Sequence, residues 1–240
     1  MCGCGSSLVA VTILVFKPVK SVVMPKPLDT RLNTSVKSSA DTVIVLDFET
    51  SGLSPNQGDR AIEIGAVRIE QGVITDRFQR LMNPGRRIDS FIESYTGITN
   101  GMLAKAAPCA EVMDEFADFI GDYDLVAHNA SFDQRFLDAE LQRVQRRYGG
   151  SFACSMLAAR RLYPDAFNHK LGTLVKYKTL PNDGTFHRAL ADAEMTAYLW
   201  LAMLADIEQV HALECVSFEV MQKLTKVPKA SVDKFFQRYN

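Results

Sequence analysis

The stretch VIVLDFETSGLSP, from Val43 to Pro55, decides the fold. Its apolar start is typical of a buried strand, and the Ser, Gly and Pro that follow predict a turn. Side chains two residues apart in a strand share a face, so Asp47 and Glu49 are expected to point the same way, with Phe48 in the opposite layer. Such a pair is either a polar strand end or a set of ligands that converge on a cation. For this stretch alone, a polar strand end is the commoner explanation.

The composition is that of a globular protein without a strong charge preference. The chain has 240 residues, with 27 Lys and Arg against 28 Asp and Glu, so its formal net charge is −1. This length fits one large domain with extensions. The charge predicts neither a nucleic-acid nor a membrane partner overall, so any such surface has to be local. Five scattered cysteines argue against a disulfide framework and favour a reducing, cytoplasmic setting.

The two ends of the chain differ from its middle. Residues 1–40 are predicted to be a disordered arm, or to include a misannotated stretch before a true start at Met24. The apolar run from Leu8 to Phe16 is well short of the ~20 residues that cross a bilayer. Residues 211–240 are predicted to form a basic helical tail, whose lysines are either a solvated face or a contact to phosphate or a partner. Residues 41–210 are the predicted main domain.

Strand patterns come first in this domain, and helices then alternate with strands, which predicts an α/β fold with a mixed sheet flanked by helices. Ser131 is predicted to be the N-cap of the helix that ends near Tyr148. The predicted elements are a strand at 43–48, a hairpin of strands at 61–71 and 73–82, a helix at 108–121, a strand at 123–127, a helix from 131 to about 148, and a long helix at 188–207.

Two later stretches supply partners for the acidic strand end. HNASFD places Asp133 near the start of a helix that follows a short strand. HRALADA places His187 and Asp192 five residues apart, which on a helix puts their side chains about 140° from each other. Both can face one site only if His187 lies in the turn before the helix, and Pro181 and Gly184 make the preceding segment loop-like. Four carboxylates and one imidazole in three such places indicate a metal site for Mg²⁺ or Mn²⁺.

The stretches DFETSGL, HNASFD and HRALADA resemble the three motifs of the DnaQ-like 3′→5′ exonucleases. This family contains the proofreading epsilon subunit of bacterial DNA polymerase III. The resemblance covers about residues 43–208 and includes GIT at Gly97–Thr99. His187 stands five residues before the last motif Asp, as in the histidine (DEDDh) subclass, whereas the position of the tyrosine subclass holds Arg188.

The resemblance implies an RNase H-like fold and an exonuclease domain at residues 41–210. It makes Asp47, Glu49 and Asp192 metal ligands, with Asp133 completing the set directly or through water. Two Mg²⁺ or Mn²⁺ ions and His187 as general base would then release nucleoside 5′-monophosphates from 3′ ends. The implied substrate is single-stranded DNA, and RNA stays open.

Further residues are predicted to hold the substrate. Thr50 and Leu53 match the family positions beside the terminal nucleotide, and His128 and Phe132 are expected to line the same pocket. Ordinary packing is the alternative for Leu53 and Phe132. The sequence departs from the family at Thr96, where many relatives carry His before the Gly.

Two other functions deserve comparison. Haloacid-dehalogenase phosphatases place D-x-D-x-T after a strand, but Glu49 and Ser51 stand at the later positions here, and that chemistry has no use for the pair His187 and Asp192. The stronger alternative is a proofreading or nucleic-acid-binding subunit that acts mainly through a DNA polymerase partner. No membrane partner is predicted.

Overall fold

The structure is a computed structural model that describes residues 38–182 and 187–239. The prediction for the N-terminal arm falls on residues 1–40, of which 1–37 lie outside the described residues. The strands are β1 (Val43–Thr50), β2 (Ala61–Glu70), β3 (Val73–Leu81), β4 (Leu125–Ala127) and β5 (Phe152–Cys154). The α-helices are α1 (Ser90–Thr96), α2 (Asn100–Leu103), α3 (Cys109–Ile120), α4 (Ser131–Arg143), α5 (Ser155–Leu162), α6 (Leu171–Tyr177), α7 (Ala189–His211), α8 (Phe218–Leu224) and α9 (Val232–Phe236).

The strands form one mixed sheet in the order β3-β2-β1-β4-β5. β1 pairs antiparallel with β2 and parallel with β4, and β4 pairs parallel with β5. Helices pack on both faces of this sheet, so the predicted α/β architecture with a mixed sheet is confirmed. No helix in the described ranges is long and apolar enough to cross a membrane.

Strand β1 is the central element because both of its faces are buried. Val43 and Val45 belong to the hydrophobic cluster that contains much of α7. Ile44 and Phe48 belong to the opposite cluster, with residues of α3 and α4. This alternation follows from the two-residue period of a strand. It puts Phe48 in the opposite layer to its two acidic neighbours, as the sequence predicts.

Helix α7 lies against β2 with backbone touching backbone. A Cβ atom added at Gly65 would lie 2.1 Å from the backbone nitrogen of Leu190 and 2.2 Å from the carbonyl carbon of Ala189. Only glycine permits this approach, because every other residue carries a Cβ atom. The start of α7, which holds the last predicted motif, is therefore fixed to the middle of the sheet.

The C-terminal helices share a core with the sheet. The indole nitrogen of Trp200 in α7 donates to the carbonyl oxygen of Ala40 at 2.7 Å, and its ring lies 6.2 Å from that of Phe218 in α8. Phe218 and Phe236 are in the same cluster as Val43 and Val45 of β1. The division into residues 41–210 and a tail at 211–240 stays a prediction, and α8 and α9 pack against the sheet domain.

Two predictions about α4 are wrong. Ser131 is the first helical residue and not the N-cap, which is Ala130 without a side-chain cap. Asn129 takes a left-handed φ of 73°, and its carbonyl oxygen accepts from the amide of Phe132 at 2.9 Å, so a backbone turn leads the chain into the helix. The helix also ends at Arg143 and not near Tyr148, since Gln145 adopts a left-handed φ of 56°.

We expect Gly65→Ala to lower the free energy of unfolding by about 3 kcal/mol, because the added methyl group overlaps the backbone of α7. Gly101→Ala in α2 is the matched control, since its Cβ would meet only the Thr99 hydroxyl at 3.7 Å. That change should shift stability by no more than about 1 kcal/mol, and in the stabilising direction. Urea denaturation of both variants checks this, and equal stabilities would refute the close packing of α7 on β2.

Candidate active site

A cavity of about 650 Å³ opens at the carboxyl end of β1. Its walls come from β1, helix α1, the segment from β4 into α4, and the start of α7. Every residue that the sequence predicts as part of the site lines it: Asp47, Glu49, Thr50, Leu53, His128, Phe132, Asp133, His187 and Asp192. The structure thus brings the predicted set together, while the role of each residue stays a prediction.

The floor of the cavity is the acidic end of β1. Glu49 pairs with Glu63 of β2 in the ladder, and the register shifts between Glu49 and Thr50. The strand therefore becomes irregular directly after its second carboxylate. The Thr50 hydroxyl donates to the carbonyl oxygen of Gly52 at 2.6 Å and holds the following turn against the strand end.

Asp133 joins α4 to this floor. Its Oδ1 accepts a hydrogen bond from the backbone amide of Phe48 at 3.1 Å, between the two acidic residues of β1. The side chain is buried, and burial raises the pKa of Asp133 to about 7, although its backbone hydrogen bonds act in the opposite direction. Asp133 lies in the first turn of α4, where the helix dipole favours a negative charge.

His187 and Asp192 enter the cavity from the start of α7. His187 lies before the helix with a left-handed φ of 61°, and its amide donates to Oδ2 of Asp192 at 3.1 Å. The chain thus makes the turn that the five-residue spacing requires. Ligand atoms of Glu49, His187 and Asp192 lie within 4.8 Å of one another. These three residues could hold a metal ion between them.

The electrostatics of the cavity favour a bound cation. The pKa of Asp47 is well above its usual range because of burial, followed by repulsion from Asp133 and Asp192. The pKa of Glu49 is raised to about 8, again by burial first and then by Asp192 and Glu63. Four buried or half-buried carboxylates close together are unfavourable as anions, and Arg188 offsets the raised pKa of Glu49 only in part. Oxygen donors of this kind suit a divalent ion, so the donor set fits the predicted metal.

Glu63 is a site-positioning residue that the sequence reasoning missed. It is fully buried and binds the guanidinium of Arg188 at 2.8 and 3.1 Å. The same carboxylate accepts from the backbone amide of Ala189 at 3.2 Å, which satisfies the first turn of α7. A sign was present in the sequence, because a lone Glu interrupts the apolar strand AIEIGAV.

The rim of the cavity is aromatic, which was also missed. Phe91 and Tyr95 of α1 stack with their ring centroids 5.9 Å apart and an interplanar angle of 15°. The Tyr95 ring then meets the His187 ring at 4.4 Å. Aromatic residues four apart on a helix share one face, so the spacing in SFIESYTGIT was the available signal.

His128 and Thr96 turn their polar atoms away from the cavity. Nε2 of His128 donates to the carbonyl oxygen of His169 at 2.9 Å, and Nδ1 lies 2.9 Å from the Ser155 hydroxyl. Burial lowers the pKa of His128 to about 4, so the ring is neutral at pH 7 and offers the cavity mainly its carbon edge. The Thr96 hydroxyl donates to the carbonyl oxygen of Ile92 at 2.9 Å.

Comparison with known proteins agrees with this arrangement. The exonuclease family model matches residues 44–200. The chain is 40% identical over 168 residues to a PolC-type DNA polymerase III of Bacillus subtilis, covering 69% of this chain and 12% of the relative. A Staphylococcus epidermidis PolC-type DNA polymerase III is 36% identical over 203 residues, covering 83% of this chain and 13% of the relative. The chain therefore spans only about an eighth of the length of these relatives.

Solved structures show the same fold. Exonuclease X in complex with 5′ overhanging duplex DNA is 28% identical, with a TM-score of 0.60, and the match covers 76% of this chain and 99% of that one. E. coli Exonuclease I in complex with a dA16 oligonucleotide matches in fold, at 19% identity and a TM-score of 0.56, over 70% of this chain and 41% of that one. The expected RNase H-like fold is confirmed. With the family match spanning the sheet and all four acidic residues, the chain belongs to the DnaQ-like exonuclease family.

Proposed function

We propose that the chain is a metal-dependent 3′→5′ exonuclease of the DEDDh type that removes nucleoside 5′-monophosphates from single-stranded DNA. One observation carries the proposal: Asp47, Glu49, Asp133 and Asp192 converge with His187 in one open cavity. These groups come from three separate parts of the chain, and their mutual repulsion has no structural benefit unless a cation binds there.

Asp47, Glu49 and Asp192 would hold two Mg²⁺ or Mn²⁺ ions, with Asp133 completing the set directly or through water. When bound, such ions lower the pKa of an attacking water and stabilise the leaving 3′ oxygen. The carboxylates of this chain fix the positions of the ligands from rigid elements, β1 and the first turns of two helices. Rigid mounting keeps the scissile phosphate and the water in a reactive alignment.

His187 takes the proton of the attacking water in this proposal. Histidine titrates near neutral pH as a residue type, which suits a general base. Its ring contacts Tyr95 on one side, and a ring nitrogen lies within 4.8 Å of carboxylate oxygens of Glu49 and Asp192. The side chain is exposed at the cavity, so the proton can pass to solvent.

Thr50 and Leu53 hold the 3′ end at the lip of the cavity. Leu53 is 78% exposed and lines the cavity, so it offers an apolar contact without serving the core. The cavity volume of about 650 Å³ is in the range of small-ligand pockets. An unpaired 3′ terminus can enter such a pocket, and RNA is the second substrate class to compare.

A second candidate function is proofreading beside a DNA polymerase. It is favoured by the relatives from Bacillus subtilis and Staphylococcus epidermidis, whose matched segment is about an eighth of a polymerase. The two candidates differ in whether the isolated chain works at its full rate. The expected cytoplasmic setting stays a prediction in both.

Incubation with a 5′-labelled single strand and Mg²⁺ or Mn²⁺ should yield a ladder that shortens from the 3′ end. Asp47→Asn should abolish the ladder, because the neutral amide is a weaker ligand than a carboxylate. Glu115→Gln is the matched control, since Glu115 is a half-exposed acid on α3 that pairs with Arg80. Matched DNA and RNA strands give the preference. If no 3′ end shortens with either ion, the proposed function is wrong.

His187→Asn should reduce the rate on the order of 10²–10⁴-fold, the usual contribution of a general base. Asn is the preferred replacement because it tolerates the left-handed φ that His187 adopts. Calorimetric titration with Mn²⁺ should show unchanged metal affinity. A loss of affinity equal to the loss of rate would make His187 a metal ligand and not the base.

Between pH 6.5 and 8.5, the melting temperature of the chelated protein should fall as the pH rises. The folded-state pKa values of Glu49 (about 8) and Asp133 (about 7) are above their usual values, so the native state retains protons that the unfolded chain has already released. His128 acts in the opposite direction only between pH 4 and 6.5, because its pKa is lowered to about 4.

Mg²⁺ should therefore raise the melting temperature more at pH 8.5 than at pH 6.5, since the ion binds the ionised carboxylates. In the presence of a chelator, Glu49→Gln should flatten the pH dependence of the melting temperature. The same variant should lose most of the rise in melting temperature that Mg²⁺ causes. Scanning calorimetry at both pH values measures these effects. An equal Mg²⁺ increment at the two pH values would count against a metal site built on Glu49.

A further inference from the structure

Exposed apolar side chains gather at one place on the surface. Seven large hydrophobic residues are exposed in the described ranges, and three of them, Leu53, Phe91 and Tyr95, line the same cavity. Single exposed apolar residues are ordinary, but a group beside a concave site indicates binding. The aromatic pair has no core function, since Phe91 is 69% exposed and Tyr95 53% exposed.

Helix α1 holds this pair as a rigid platform. Its other face is anchored, because Ile92 packs on the small cluster that contains Ile88 and Ile98. Asp89 caps the first turn by accepting from the amide of Phe91 at 2.7 Å. Gly97 ends the helix with a φ of 71°. A stacked pair that is already ordered before binding loses little entropy when a third ring joins it.

The charges at the cavity favour a contact that does not depend on basic side chains. Within the described residues, the cavity lining contains four carboxylates and neither Lys nor Arg. Phosphate contacts to basic side chains, the usual source of affinity for a nucleic acid, are therefore missing from this lining. Stacking of bases on aromatic rings is a source of affinity that needs no basic side chain, and it works with any base.

We infer that Phe91 and Tyr95 stack on a base of one of the two nucleotides that flank the scissile phosphate. The position of the stacked base follows from the contact between Tyr95 and His187, whose ring centroids lie 4.4 Å apart. His187 is the residue proposed to activate the attacking water. The inference rests on the proposed function and deepens it, because it predicts a preference for 3′ ends that still carry a base.

A thermodynamic cycle tests this inference through binding and not through catalysis. Tyr95→Leu and Phe91→Leu keep apolar bulk and helix propensity but remove the aromatic face. Phe167→Leu is the matched control, since Phe167 is an exposed aromatic residue outside the cavity. Fluorescence anisotropy measures binding of three labelled single strands: an intact strand, one abasic at the terminal nucleotide and one abasic at the penultimate nucleotide. Ca²⁺ is the probe ion, because its looser coordination suits hydrolysis poorly.

Each variant should weaken binding of the intact strand by roughly 5- to 100-fold, and this loss should vanish on one of the two abasic strands. Phe167→Leu should bind all three strands as the wild type does. An equal loss on all three strands, or no loss beyond that of Phe167→Leu, overturns the stacking platform. If the wild type shortens 3′ ends while each variant loses the same affinity on intact and abasic strands, only this inference fails. If the wild type shortens no 3′ end, the proposed function fails first and the inference with it.

Discussion

The hydrogen bonds that Glu63 accepts from Arg188 and from the amide of Ala189 join helix α7 to the sheet. Glu63 stands opposite Glu49 in the ladder between β1 and β2, so this clamp lies directly beside the acidic floor. A fully buried carboxylate is costly unless it is paired and hydrogen-bonded, and here it is both. The N-cap residue of α7, Arg188, makes no side-chain capping bond. Glu63 of β2 instead accepts the hydrogen bond of the Ala189 amide. The positions of His187 and Asp192 depend on this interaction.

The acidic cavity is a locally unfavourable arrangement that a strong surrounding framework tolerates. Burial and repulsion raise the pKa values of Asp47 and Glu49, so the ionised form of each is destabilised unless a cation binds. β1 nevertheless keeps them in place, because its apolar residues are buried on both faces of the sheet. Proteins accept such conflicts between local stability and function mainly at their active sites. The electrostatic strain is the reason why the site should respond strongly to divalent metal ions.

The sequence predicts those features of the site that depend on a short-range pattern within one segment. The strand period placed Asp47 and Glu49 on one face, and the five-residue spacing required a turn at His187, which the structure contains. The sequence does not predict features that depend on the actual backbone turn or on a distant segment of the chain. Ser131 had the residue type of an N-cap, but the turn at Asn129 took that place. The importance of Glu63 and Gly65 arises from α7, more than a hundred residues later in the chain. The exposure of Phe91 and Tyr95 could not be read from a seven-residue helix, since its buried face is set by the cluster of Ile62, Ile88, Ile98 and Leu103 on which Ile92 packs.

The packing of Trp200 shows that the hydrophobic core extends beyond the region that contains the predicted site residues. The family match ends at residue 200, and all the motif residues lie before that point. The core does not end there, because Trp200 packs on Phe218 and shares a cluster with Phe236. A fragment trimmed to the family boundary would keep every predicted site residue and expose the inner side of α7 to water. The smallest fragment that keeps this fold is therefore set by the hydrophobic core, and it includes the C-terminal helices α8 and α9.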